Sequence, residues 1–219
     1  MSSSKDIEQI LNESPDLWRA GSLSASKSHT IKTGYDSLDD ILPGKGWPTN
    51  VLMEFIVPSW GIGEISLLMP LLKFMSDKSY WIVWLAPPHI PYTPYLQAQG
   101  IDLSRVLVIS DKVSSVECLW AMEKLLRTDN CGLVMSWSQK INQNAMRRLQ
   151  LAAEAGKSIG VVFQIKEKKN SAAAFRFRLK AMQAGLNIEV IKSRGGSRHR
   201  QVIVQWDEPV LSPGFTRAT

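Results

Sequence analysis

Residues 57–66 read Val-Pro-Ser-Trp-Gly-Ile-Gly-Glu-Ile-Ser, where a strand–loop–helix nucleotide site would carry its phosphate-cradling loop. An apolar strand pattern (51–56) runs in, and an apolar helical pattern (65–74) runs out. In a working loop of this kind, glycines let backbone N–H groups surround the phosphates while a lysine reaches the terminal ones. Here the lysine position holds Glu64, and Pro58, which has no N–H, stands where the first glycine belongs. Gly61, Gly63 and Ser66 keep the remainder of the pattern, and Trp60 sits in space a phosphate would need. A helix N-terminus still favours negative charge, but the acid opposes an incoming anion. The residue types describe a nucleotide loop that has lost its nucleotide chemistry.

Other chemistry is weaker still. Ser66, Ser136 and Ser138 with His89 suggest a hydrolase only until a G-x-S-x-G elbow is sought, and none is present. His29 and His199 fall in a Ser-rich linker and a basic loop, and Cys118 and Cys131 form no CxxC or Cys/His cluster. No metal site, cofactor or disulfide framework is expected. Asp36, Asp39 and Asp40 precede a helix and read better as first-turn acids than as metal ligands.

The elements that must hold the loop follow a regular order. Short, almost continuously apolar segments at 51–57, 80–86, 105–110, 132–137 and 159–164 read as strands buried on both faces. Helical patterns at 64–76, 91–99, 114–127 and 142–156 alternate with them. The alternation predicts an α/β fold with a mostly parallel twisted sheet flanked by helices. From 175 the period changes to two, with Arg176, Arg178 and Lys180 opposite Phe175 and Phe177. Two further strands, 186–192 and 201–206, flank an Arg194–Ser197 turn and predict an antiparallel extension. The chain divides into an N-terminal helix and linker (1–30), a core (31–210) and a tail (211–219).

Among 219 residues, the net charge is +6 and its distribution is uneven. From Ile165 to Arg200 there are 10 Lys/Arg and 2 acids, which leaves 16 bases against 18 acids elsewhere. Such asymmetry suits an anionic partner, nucleic acid first, and equally suits a solvated basic surface or an acidic protein face. Lys168, Lys169, Arg176, Arg178, Lys192, Arg194, Arg198 and Arg200 are the candidate phosphate contacts. Ile7, Ile10 and Leu11 give a short N-terminal helix one apolar face, a candidate partner contact. Eight tryptophans are many for this length; Trp81, Trp84 and Trp120 are expected in the core, and Trp60 packed inward. Neither a signal-peptide pattern nor a membrane span is legible, and a cytoplasmic location is expected.

Lys32 to Asp39, Leu42, Gly44, Gly46-Trp47-Pro48 and Met53-Glu54 resemble the start of the RecA ATPase core, as do Asn144 to Leu149 and Phe163-Gln164 further on. Leu67–Leu72, Trp81–Leu85, Gln97–Ile101, Val106–Ser110 and Trp137 are similar to SulA, the SOS-induced division inhibitor. Both patterns together, with Asp16–Gly21, Gly44–Pro48 and Ile188–Gly196, resemble the ImuA family, which accompanies the translesion polymerase ImuB. That resemblance implies a RecA-like, non-catalytic adaptor in SOS mutagenesis, with RecA, an ImuB-type Y-family polymerase and DNA as partners. The SulA resemblance implies the alternative, a division inhibitor that binds the tubulin-like FtsZ. The RecA catalytic Glu falls on Pro88 and the Walker B Asp on Ser136 or Trp137, so no hydrolysis is expected. Gln164 falls where RecA senses nucleotide state, and the two DNA-binding loops shrink to 138–141 and 165–170.

Overall fold

A computed structural model describes residues 30–138, 141–195 and 199–206. Ile7, Ile10 and Leu11, the 1–29 segment, Arg198 and the 207–219 tail lie outside the described residues.

An eight-stranded sheet runs in the order β10-β9-β8-β3-β7-β6-β4-β5. Its parallel part comprises β3 (Val51–Ile56), β4 (Trp81–Leu85), β5 (Val106–Ile109), β6 (Cys131–Ser136), β7 (Ile159–Gln164) and β8 (Phe175–Met182). β9 (Gly185–Lys192) and β10 (Arg200–Gln205) add the antiparallel extension. A small separate pair, β1 (Thr30–Ile31) with β2 (Trp47–Pro48), closes the start of the core and was not legible as strand. The sheet is thus mixed, mostly parallel, and flanked by helices as the alternation predicts.

β3, β6 and β7 are buried at every position, because helices cover both faces of the central strands. One face packs α1 (Asp36–Ile41), α2 (Glu64–Asp77) and α3 (Thr93–Ala98) on Phe55, Trp84, Leu133 and Phe177. The other face packs α4 (Ser115–Leu126) and α5 (Gln143–Gly156) on Leu52, Val83, Val134 and Val162. β5 lies at the sheet edge with one neighbour, so Leu107 and Val108 stay exposed despite their apolar run.

Local chemistry sets the helix ends. Ser114 and Glu117 form a reciprocal capping box on α4, and the Asn142 side chain accepts the Ala145 N–H on α5. Asp36 and Asp39 do lie in the first turn of α1, but Tyr35 is the cap and makes no side-chain cap bond. Asp39 is buried instead, accepting the Thr33 N–H at 3.0 Å and pairing with Lys32 at 3.2 Å. Pro70 lies inside α2 and cannot donate to the Ser66 carbonyl one turn earlier. The Tyr35 hydroxyl donates to that carbonyl at 3.2 Å, so the helix loses a backbone bond but leaves no orphan there. Gly34 permits this approach, since a Cβ there would stand 2.5 Å from the Pro70 ring.

Tryptophan placement departs from expectation at two residues. Trp84 is buried, but Trp81 is 38% exposed beneath the Arg105 guanidinium, and Trp120 is 62% exposed on α4. α4 turns Cys118, Met122 and Leu126 to the sheet, and that face leaves Trp120 outside.

Candidate functional site

In open parallel sheets, binding sites form beyond the carboxyl ends of the strands. Here that edge gathers the 57–63 loop after β3, the 86–92 segment after β4, Trp137 and Ser138 after β6, and Gln164 ending β7. A cleft of about 190 Å³ opens there, lined among others by Gly61, Glu64, Trp84, Trp137, Tyr92 and Tyr95. A larger depression of about 600 Å³ lies at the opposite strand edge, around Phe74, Lys78, Tyr80 and Lys157. The smaller one lies at the carboxyl ends of the strands and is the candidate site.

The loop conformation is fixed by a carboxylate of its own chain. Gly61 and Gly63 have φ of 77° and 107°, so both glycines adopt the left-handed region that a phosphate cradle uses. Yet Glu64, only 4% exposed, folds back so that its Oε1 accepts the Gly61 N–H at 3.0 Å. The loop's donor is thereby committed to a carboxylate of its own chain. Trp206, just past β10, closes the other side; a Cβ on Gly63 would stand 2.9 Å from its ring. Pro58 is exposed, Ser66 is partly buried, and Trp60 is partly buried against the core, inward as expected.

Aromatic rings pack behind the loop. Trp137, which follows β6, stacks on Trp84 at 5.3 Å and on Phe163 at 4.8 Å. The neighbouring Ser136 hydroxyl accepts the Ser138 N–H at 3.3 Å. Gln164 donates from Nε2 to the Ser138 carbonyl at 2.7 Å, which ties β7 to β6 rather than facing a ligand. Pro88 sits on the exposed cleft wall. Among the described residues no cluster of three or more His, Cys, Asp or Glu is placed to hold a metal ion.

The cleft mouth was missed from sequence. Ile90 is 92% exposed, Tyr92 72% and Tyr95 43%. They come from Pro87-Pro88-His89-Ile90-Pro91-Tyr92-Thr93-Pro94-Tyr95, where prolines erase any periodicity and only the apolar residues between them hint at a surface.

The basic residues of the extension divide into two groups. Arg176 is buried, with its Nε donating to the Glu54 carboxylate of β3 at 2.7 Å and Nη2 to the Lys168 carbonyl at 2.8 Å. Its period-two position faces the sheet interior beneath the 165–174 loop, so the expectation of a phosphate contact fails there. Arg178 pairs with both Glu167 and Glu189, and Glu167 raises its pKa foremost. Burial alone would raise the Glu189 carboxyl, but hydrogen bonds from His199 and Arg178 hold it below its usual value. Lys168 bonds the Ile141 carbonyl, Lys192 bonds the Ser171 carbonyl at 3.0 Å, and Arg194 pairs with Glu154 at 3.0 Å. Lys169, Lys180 and Arg200 are exposed. Much of the basic excess fastens the 165–174 loop and the extension to the core.

Comparison with known proteins gives a consistent result. The family model described as Cell division inhibitor SulA matches residues 61–160. A Cell division inhibitor SulA from Serratia proteamaculans (strain 568) is 31% identical over 137 residues, covering 63% of this chain and 80% of that relative. The chain belongs to the SulA family. The SulA of Edwardsiella piscicida is 35% identical over 108 residues, covering 49% of this chain and 64% of the relative. For that of Yersinia enterocolitica the figures are 34% over 98 residues, 45% and 58%. This SulA-family chain therefore spans less than two thirds of the length of those two relatives. The crystal structure of SulA from Pseudomonas aeruginosa aligns at a TM-score of 0.42 and 23% identity, over 51% of this chain and 96% of that one.

These matches correct the expectation of an ImuA-type adaptor in translesion synthesis. The matched relatives are division inhibitors, and the family match of 61–160 contains the cleft and stops before the basic extension. The segment that the family model matches therefore runs from the loop before α2 into β7, and the relative from Serratia extends the similarity to 137 residues.

Proposed function

We propose that this protein is a cell-division inhibitor that acts by binding a tubulin-like division protein of the FtsZ type, without catalysis. The observation that carries this reading is the similarity to a named division inhibitor over 137 residues, 80% of that relative's length. The geometry supports a stoichiometric ligand more than a turnover enzyme. Glu64 occupies the loop donor, aromatic rings pack behind the loop, and exposed Ile90, Tyr92 and Tyr95 rim the cleft. Exposed apolar side chains grouped at one edge are the usual mark of a protein contact. The glycine geometry of the loop and the Thr33–Asp39 segment support a RecA-like origin for this α/β core, with the nucleotide site silenced.

Expression of the chain in a rod-shaped bacterium is expected to give filaments, and purified protein to lower FtsZ assembly in sedimentation assays at near-stoichiometric ratios. Normal cell length together with unaffected assembly would remove the reading. Truncating Tyr92 and Tyr95 to Ala together is expected to weaken inhibition at least tenfold, since interface anchors are commonly worth above about 1.4 kcal/mol.

A further inference from the structure

Glu64 satisfies only one of its two oxygens. Oε1 accepts the Gly61 N–H, whereas Oε2 is buried with no hydrogen-bond partner among the described residues. Trp84 lines the same cleft, and its Nε1 is likewise buried without an acceptor. A buried polar atom left unpaired costs about 1–3 kcal/mol, and more when charged. Two of opposite sense in one small cleft therefore define a complement. A carboxylate oxygen is best met by a cationic donor, and an indole N–H by a carbonyl. A basic residue inside a peptide supplies both. The apolar rim of Ile90, Tyr92 and Tyr95 further suits a macromolecule over a free metabolite.

We propose that this cleft receives an arginine side chain presented by an extended segment of a partner protein. Glu64 takes the guanidinium, and the Tyr92 and Tyr95 rings flank it at the mouth. Arginine fits better than lysine because its planar, weakly hydrated group stacks on aromatic faces and gives up less hydration on entry. The electrostatic sense of the loop is thus inverted. Its own carboxylate serves as the anion that the backbone holds, and the second oxygen of that carboxylate is offered to a cation. The assignment holds whichever protein carries the arginine, and so goes beyond the division-inhibitor reading.

Calorimetric titration of the purified full chain with N-acetyl-arginine amide tests it. Saturable binding in roughly the millimolar range is expected, the scale of a small fragment. N-acetyl-glutamate amide and inorganic phosphate are expected to give no saturable heat. Glu64→Gln keeps an acceptor for Gly61 but removes the charge, and is expected to weaken the arginine amide about tenfold. Tyr92→Ala, at an exposed position, is expected to weaken it about threefold. Three results each overturn the assignment: unchanged affinity in a folded Glu64→Gln protein, tighter binding of phosphate than of the arginine amide, and no saturable binding of the arginine amide. Should Glu64→Gln fail to fold, unchanged affinity in Tyr92→Ala overturns it alone. FtsZ inhibition lies outside this readout, so failure here leaves the division reading standing.

Discussion

The junction of the β3–α2 loop with α2 carries one charge, Glu64, while the region from Lys166 to Arg200 carries many. In the loop the charge is locally determined: Glu64 and the Gly61 N–H it holds are three residues apart. In the extension the charges find partners far along the chain, with Arg176 reaching Glu54 and Arg194 reaching Glu154. A short-range anomaly can therefore be interpreted from sequence, whereas a long basic run cannot be divided into paired and free members until the sheet brings its strands together. Gly61 and Glu64 lie within the segment that the SulA family model matches, and the extension lies outside it.

The largest effect is expected at the extension. Replacing Arg176 by Ala leaves Glu54, 1% exposed, as an uncompensated charge in the central strand. A loss of about 3–5 kcal/mol in urea unfolding is expected, whereas Lys180→Ala, at an exposed position, is expected to stay within about 0.5 kcal/mol. A surface role for Arg176 would make the two losses alike. The double change Glu54→Leu with Arg176→Met is expected to recover most of the loss.

At the loop, Glu64→Lys supplies the lysine that a nucleotide loop would carry. No magnesium-dependent binding of a fluorescent ATP analogue is expected, because Pro58 still lacks an N–H and Trp137 still stacks on Trp84 and Phe163. Micromolar binding by that variant would show that one side chain alone silences the site. A stability loss of roughly 2 kcal/mol is expected, since the Gly61 donor loses its carboxylate.

Smaller effects test the supporting bonds. Tyr35→Phe removes the hydroxyl that meets the Ser66 carbonyl released by Pro70, and is expected to cost about 1 kcal/mol in thermal or urea unfolding. Glu189 has a folded pKa below its unfolded one, with His199 and Arg178 as the causes that outweigh its burial. Its contribution is therefore present above the ordinary carboxylate range and lost as pH falls through that range and below it. Glu189→Gln is expected to flatten the acid limb of the stability profile. An unchanged acid limb would place the acid sensitivity elsewhere.

The helix and strand order was legible to within a few residues because each element carries its own apolar period. The 132–137 and 159–164 strand readings, for instance, compare with Cys131–Ser136 and Ile159–Gln164. Each exception has its own physical cause. β1 and β2 are only two residues each and leave no period to detect. Trp120 was assigned to the core by residue type, but exposure follows from which helical face meets the sheet. The cleft mouth lies in a proline-rich segment where periodicity has no meaning.

Sequence by itself determined the alternating architecture, the change of period at 175 and the absence of lysine chemistry in the 57–66 loop. These depend on residues near one another along the chain, where steric and hydrogen-bonding preferences act without tertiary help. Only the tertiary structure decided that Glu64 fills the loop donor while its other oxygen is buried unpaired beside the cleft. The same is true of Trp137, stacked on Trp84, and of Arg176, held inside the sheet by Glu54. Each of these depends on which strands become neighbours, and residues 122 positions apart meet only through that pairing.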